Sequence, residues 1–267
     1  MKALDKPKYV TNIFVCSVMK SGITSATRFI HMDYNDLIVN ESGMRGTEEI
    51  IDYDMYHYGS RPDIMLFNQL DLNRRMNYTK KGRSRWNVYS EFPIMFMWKE
   101  ISEFTPNQNS YFGEFTPDIV DKPFSKPTLL KPIKKFIYTH RPVDEWFNSF
   151  ANWHLTRTMH SNVVKQLWHK WLKIEIPLHH RWCSKWVYHN LITKRESEIK
   201  EKYLETNEKI KDHFKRKYEL TGENQLFYSS LDDVDSNKLI DFLGFPEWMK
   251  GKLKWGHHNK TKNWEHK

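Results

Sequence analysis

The chain has 267 residues, 39% apolar and 28% charged, a composition that suits a folded protein with a sizeable core and excludes a disordered tract. Its 42 Lys and Arg residues against 33 Asp and Glu give a net charge of +9, which favours polyanionic partners such as nucleotides, acidic glycans, nucleic acid or anionic lipid without choosing among them. Two cysteines, Cys16 and Cys183, are too few for a disulfide framework, and no segment approaches the roughly 18 consecutive apolar residues of a membrane span.

The first ten residues, "MKALDKPKYV", carry no apolar signal core, so the sequence predicts a cytoplasmic protein forming one domain over residues 1–267. "NIFVCS" (12–17) is a short run of β-formers closed by a Lys-Ser-Gly turn, the pattern of a buried parallel strand. "TSATRFIHM" follows with hydroxyl residues suited to a helix N-terminus. Residues 41–125 are broken by Gly, Pro and Asn, and short helices and loops are expected there.

"KKFIYTH" (134–140) reads as a second strand, followed after Arg-Pro by a helix from about "VDEWFNSFANWHL". Residues 144–220 look almost wholly helical, with Ile199, Tyr203, Ile210, Phe214 and Tyr218 on roughly one face of a charge-rich stretch. "NQLFYSS" (224–230) is a third strand, and Leu239, Ile240, Phe242 and Leu243 suit a short amphipathic helix after it. Recurring strand–turn–helix units predict an α/β fold: a central parallel sheet flanked by helices in three P-loop-like layers.

The opening stretch, "YVTNIFVCSVMKSGITSATRFI" (9–30), has the shape of an anion-binding turn between strand and helix. A helix start offers backbone N–H groups and the positive end of the dipole. Gly22 permits close approach of an anion, Thr24 and Ser25 supply hydroxyls, and Lys20 adds a mobile charge at the mouth. The ATP-binding P-loop places its lysine after the last glycine, whereas here Lys20 precedes Gly22 and no glycine stands four to six positions upstream. A kinase or ATPase reading fails at that element. In "YTHRPVDEWFNSF" (138–150), Arg141 ends a strand and Ser149 lies eight residues on, a spacing from which a guanidinium fork and a hydroxyl can grip one phosphate.

Taken together, "FVCSVMKSGITS" and "YTHRPVDEWFNS" resemble the sulfotransferases that use 3′-phosphoadenosine 5′-phosphosulfate (PAPS). In that family a [KR]-[ST]-G-T-[TS] turn holds the 5′-phosphosulfate and an R-x-P-x-[DE]-x-x-x-S segment holds the 3′-phosphate. "LFYSSLDDVDSNKLIDFLGFPEW" is similar to the family's Y-E-D-L…FLG segment near the C-terminus. The resemblance implies that Lys20 contacts the bridging oxygen and sulfuryl group, that Ser21, Gly22, Ile23, Thr24 and Ser25 wrap the 5′ side, that Arg141 and Ser149 bind the 3′-phosphate, and that Tyr228 approaches the adenosine. It also implies that the basic tail "GHHNKTKNW" (256–264) closes over the nucleotide. Two departures stand out: Ile23 replaces the usual Thr or Ser, and "YSSLDD" is a loose form of Y-E-D-L.

Sulfuryl transfer needs a base for the acceptor proton and positive charge on the leaving phosphate oxygen. The resemblance implies a glutamate base some twenty to thirty residues past the turn's basic residue, as in the Golgi-type enzymes. Glu41, 21 positions after Lys20, is the preferred candidate, with Glu48 and Glu49 next at 28 and 29. His31 and His57 take the role if the chain follows the histidine-using cytosolic branch. "FGEFTPDIV" (112–120) resembles a G-E-x-[ST]-P segment of glycan-type and bacterial sulfotransferases, which favours that branch and makes Glu114 a further candidate.

No H-E-x-x-H pattern or Cys/His cluster at ligand spacing occurs, so no metal is expected. The sequence therefore predicts transfer of a sulfuryl group from PAPS to a hydroxyl or amine of a glycan, peptide or small molecule. A non-catalytic nucleotide- or glycan-binding descendant is the rival, and a basic nucleic-acid-binding module, with tryptophans for stacking, is a third reading.

Overall fold

The computed structural model describes residues 9–18, 20–34, 37, 50–54, 86–90, 94–103, 131–156, 171–173 and 185–256. The strands are β1 (Tyr9–Val15), β2 (Ile50–Asp54), β3 (Trp86–Ser90), β4 (Lys131–His140) and β5 (Leu226–Ser230). The helices are α1 (Ile23–Thr27), which runs on into a wider π-type turn at Arg28–Asp33, then α2 (Ile94–Glu103), α3 (Val143–Thr156), α4 (Lys185–Lys194), α5 (Glu196–Thr221) and α6 (Ser236–Leu243).

The strands form one sheet in the order β2-β3-β1-β4-β5, and every neighbouring pair is parallel. Alternation along each strand sends side chains to two separate cores. Phe14, Cys16, Tyr89, Phe136 and Tyr138 face one cluster, shared with Ile94 and Ile101 of α2, Trp146 and Phe150 of α3, and Ile199, Tyr203, Ile210 and Phe214 of α5. Ile13, Val15, Trp86, Val88 and Ile137 face the other, shared with Ile23, Ala26 and Phe29 below the first turn and with Leu239, Ile240 and Leu243 of α6. A sheet buried on both faces is why residues 13–15 of β1 and 136–138 of β4 are unbroken apolar and aromatic runs. The expected three-layer α/β architecture is the one observed.

The boundaries differ from expectation in instructive ways. β2 and β3 fall in residues 41–125, where short helices and loops were expected. β4 begins three residues earlier than expected, and β1 starts at Tyr9 rather than Asn12. Of the predicted face of α5, Ile199, Tyr203, Ile210 and Phe214 are buried, but Tyr218 is 53% exposed.

The helix α5 runs about 39 Å, at 1.5 Å per residue over its 26 residues. It descends antiparallel to β4: Tyr203 meets Arg141 at the strand's carboxyl end, Asn207 meets Tyr138, Phe214 packs on Phe136 with ring centroids 4.7 Å apart, and Lys217 reaches the far end of α2. Gly222, at φ 70, ends the helix by donating its N–H to the Tyr218 carbonyl at 2.8 Å. Asp235 caps α6, accepting from the N–H groups of Asn237 and Lys238 at 3.0 and 3.1 Å.

The strand order fixes where a ligand can enter. After β1 the chain crosses to β2 and β3 on one side, whereas after β4 it leads to β5 on the other. The crevice between the carboxyl ends of β1 and β4 is therefore the topological switch point, the place where open parallel sheets take ligands.

Candidate functional site

Both sequence motifs open into that crevice. From the end of β1 the chain enters a compact turn in which Ser21 N–H donates to the Val18 carbonyl at 3.0 Å. Lys20 and Gly22 both have left-handed φ values, 68° and 100°. Such alternation turns successive N–H groups toward one concavity, a geometry that suits an anion. Gly22 also caps α1, and with no side chain it leaves the helix's first amides unclaimed by a cap. A Cβ at Gly22 would collide with Leu231 and stand 2.9 Å from Thr139 Oγ1, so glycine is required by space as well as by φ.

The turn is bolted to β4 by buried hydroxyls. Thr139 N–H donates to Ser17 Oγ at 2.8 Å, Ser17 Oγ lies 3.1 Å from Thr139 Oγ1, and the Thr139 hydroxyl donates to the Ser21 carbonyl. Thr139 has one proton to give, so Ser17 is the donor in the second contact. Ser17, Ser21 and Thr139 are all fully buried. Their mutual bonds hold the shape of the turn without help from solvent.

Arg141 follows β4 directly, and Pro142 starts the next helix, its carbonyl accepting from Trp146 N–H at 2.9 Å. The Arg141 backbone is gripped on both sides by one group: its N–H donates to the Tyr203 hydroxyl at 2.9 Å, and that hydroxyl donates to the Arg141 carbonyl at 3.2 Å. Ser21 Oγ lies 3.4 Å from the same Tyr203 oxygen. A single phenol thus touches both the turn after β1 and the residue after β4. The Tyr203 ring stacks on Trp146, centroids 4.0 Å apart and 6° from parallel. Burial pushes its phenol upward from the usual range, against the opposing pull of the Arg141 N–H bond, so the hydroxyl stays protonated. The Arg141 Nε, by contrast, is buried and has no hydrogen-bond partner among the described residues. A buried guanidinium donor left unmet is costly, and a phosphate oxygen would satisfy it in the bidentate manner arginine favours.

The other predicted positions are placed as follows. Ile23 is buried in the core with Ala26 and Phe29, its side chain turned from the anion side. Thr24 is exposed and Ser25 buried. Ser149 is half-buried, two turns into α3. Tyr228 lies on β5 beside Tyr138, ring centroids 5.6 Å apart, and beside His140 at 4.8 Å. Lys211 Nζ sits 4.8 Å from the Tyr228 ring centre. Burial pulls the His140 imidazole below its usual value, and the Lys211 charge adds to this, so His140 is neutral at pH 7. Tyr228 and Lys211 also line a groove of about 420 Å³ between α5 and β5, with Phe214, Lys215 and Tyr218.

Glu41, Glu48, Glu49, His57, Glu114 and the tail 257–264 lie outside the described residues, and of His31 only the backbone, within the π-type turn, is described. Among the described residues no group of three or more His, Cys, Asp or Glu could hold a metal ion, and no helix is long and apolar enough to cross a membrane. The site contains three residues that the motifs did not single out: Ser17, Thr139 and Tyr203. Thr139 stands two positions before Arg141, inside the quoted motif, and its β-branched hydroxyl in a buried strand was the available signal. Tyr203 offered only its place on the apolar stripe of α5.

Comparison with known proteins agrees with the geometry. A family model described as a sulfotransferase domain matches residues 31–264, a span that includes Arg141, Ser149 and Tyr228 and begins just after the Lys20 turn. A search of curated proteins finds no match. With most of its length matched, the chain belongs to the sulfotransferase domain family, whose reaction class is sulfuryl transfer.

Proposed function

We propose that the protein transfers a sulfuryl group from PAPS to a hydroxyl or amine acceptor. The observation that carries this reading is the buried, unpartnered Arg141 Nε, set beside an anion-shaped turn at the switch point of the sheet. One cationic fork and one separate turn, joined by a single tyrosine, suit a nucleotide phosphorylated at both ends of its ribose. An ATP-type P-loop gathers its phosphates on one loop instead.

In this reading Arg141 and Ser149 bind the 3′-phosphate, and residues Ser21 to Ser25 bind the 5′ side through backbone N–H groups and hydroxyls. Ile23 contributes only its N–H, since its side chain belongs to the core. Tyr228 lies toward the adenosine. The donor supplies an activated sulfuryl group. The acceptor oxygen or nitrogen attacks sulfur in line, the bond from sulfur to the bridging phosphate oxygen breaks, and adenosine 3′,5′-bisphosphate leaves. Lys20 offsets the negative charge that grows on that oxygen. A carboxylate takes the acceptor's proton, with Glu41 the first candidate and a Golgi-type or bacterial-type glycan or peptide acceptor the favoured class.

Adenosine 3′,5′-bisphosphate at a hundred times its Kd stabilises the protein by about 2.7 kcal/mol, a rise in melting temperature that Arg141→Ala abolishes. No shift in the wild-type protein overturns nucleotide binding altogether. Sulfur-labelled donor offered to hydroxyl and amine acceptors then separates a transferase from a non-catalytic binder. Full turnover by Glu41→Gln removes Glu41 as the base and leaves donor binding untouched.

A further inference from the structure

We infer that Tyr203 is a positioning residue that couples the two anion cradles, so that the protein selects nucleotides carrying phosphate at both the 3′ and 5′ positions. The inference rests on the reading that the Lys20 turn and Arg141 hold opposite ends of one nucleotide.

The geometry of one oxygen atom makes the case. A phenol has a single proton and two lone pairs. Here the proton goes to the Arg141 carbonyl, and one lone pair accepts the Arg141 N–H. The second lone pair is left for the Ser21 hydroxyl, at 3.4 Å. The Asn207 side chain also reaches this hydroxyl and shares that lone pair with Ser21. Ser21 is a fully buried residue of the turn, and its carbonyl is simultaneously held by Thr139. A shift of the turn therefore moves the Tyr203 oxygen or breaks its bond to Ser21, and a shift of the oxygen releases both backbone groups of Arg141.

The ring is tightly packed. It is fully buried, lies flat on Trp146, and belongs to the same core as Ile199 and Ile210 on α5. The oxygen thus moves only with α5 as a whole, and turn and arginine are both registered against it. When a 5′-phosphate orders the turn, the Arg141 backbone is already held for the 3′-phosphate, and the reverse holds equally, since coupling is reciprocal. Arg141 Nε, buried and unpartnered, is the group whose aim this controls.

The test compares Kd for adenosine 3′,5′-bisphosphate, adenosine 5′-phosphate and adenosine 3′-phosphate by calorimetry, on wild-type protein and Tyr203→Phe. The Phe variant keeps the ring stack and deletes only the hydroxyl. The preference for the bisphosphate over the 5′-monophosphate falls about tenfold, while affinity for each monophosphate changes about threefold or less. A general loosening of the fold lowers all three affinities alike and leaves that preference in place. An unchanged preference, or a uniform loss, overturns the coupling. Failure of the wild-type protein to bind the bisphosphate overturns the donor reading instead. If Tyr203→Phe does not fold, Ser21→Ala decides: a lost phosphate contact weakens bisphosphate and 5′-monophosphate equally, whereas lost coupling lowers their ratio, and an unchanged ratio again refutes the inference.

Discussion

Gly22 and Leu231 are pressed together so closely that a single added methyl group on the glycine would overlap the leucine side chain. Leu231 follows the last residue of β5 and is itself buried, its N–H donating to the His140 carbonyl at 2.8 Å. The end of β5 is thus packed against the turn after β1, across the intervening strand β4. Gly22→Ala adds the overlap and places a Cβ at φ 100, which together cost about 2–4 kcal/mol. Urea unfolding measures the loss. Bisphosphate affinity falls with it by at least tenfold, since Leu231 has space only by pushing the turn.

Ile23 explains itself once its surroundings are known. The resemblance to PAPS-dependent enzymes leads one to expect a hydroxyl here, but the side chain is 5% exposed and packed in the second core. Ile23→Thr replaces the buried ethyl group with a hydroxyl, at a cost of about 2–4 kcal/mol. Bisphosphate affinity stays within about threefold of wild type, because the backbone N–H is retained. A Thr variant that binds tenfold more tightly in the same titration shows that the side chain can turn toward the nucleotide.

The Tyr138 hydroxyl donates to Asn207 Oδ1 at 2.5 Å, and both groups are buried. Asn207→Leu leaves a phenol with no acceptor inside the first core, a loss of about 1–3 kcal/mol. Tyr138→Phe made in the same protein removes the stranded hydroxyl and recovers part of that loss. A double-mutant cycle of denaturation midpoints should give a coupling of about 1 kcal/mol, and strict additivity contradicts the bond's contribution.

How much of this was legible beforehand follows from how local each signal is. β1, β4 and β5 announce themselves because they lead directly into recognisable turns, and Lys20 and Arg141 sit within those turns. β2 and β3 were missed because "IIDYD" and "WNVYS" interleave polar with apolar residues between Gly- and Asn-broken stretches, so no periodicity outlasts five positions. Tyr218 shares the spacing of the α5 stripe but falls in the helix's last turn, where the chain swings at Gly222 toward β5 and the tyrosine lines an open groove. Tyr203 falls on the predicted face of α5, and its ring is buried in the core. Its hydroxyl's role depends on Arg141, 62 positions earlier, and on Ser21, 182 positions earlier, and local patterning carries no trace of such pairings.

Alkaline pH probes the opposite end of the sheet. Lys134, on β4, donates to the Ile101 and Ser102 carbonyls at 3.1 and 2.6 Å, and Lys217 of α5 donates to the same Ser102 carbonyl. Two ammonium groups at the C-terminus of α2 complement its dipole, but they are partly buried and repel each other. Burial first, and then the Lys217 charge, pulls the Lys134 ammonium down from 10.5 to about 8. The folded pKa is thus below the unfolded one, so between about pH 8 and 10.5 the unfolded chain holds more protons and stability from this group rises with pH. Lys134→Met deletes the effect. Subtracting its unfolding free energy from the wild-type value cancels the buried tyrosines, whose raised values act in the opposite direction above pH 10. The difference should grow by about 1 kcal/mol from pH 7.5 to 10, solvent screening having reduced the nominal linkage. A flat or falling difference means that Lys134 keeps its proton in the folded protein throughout that range.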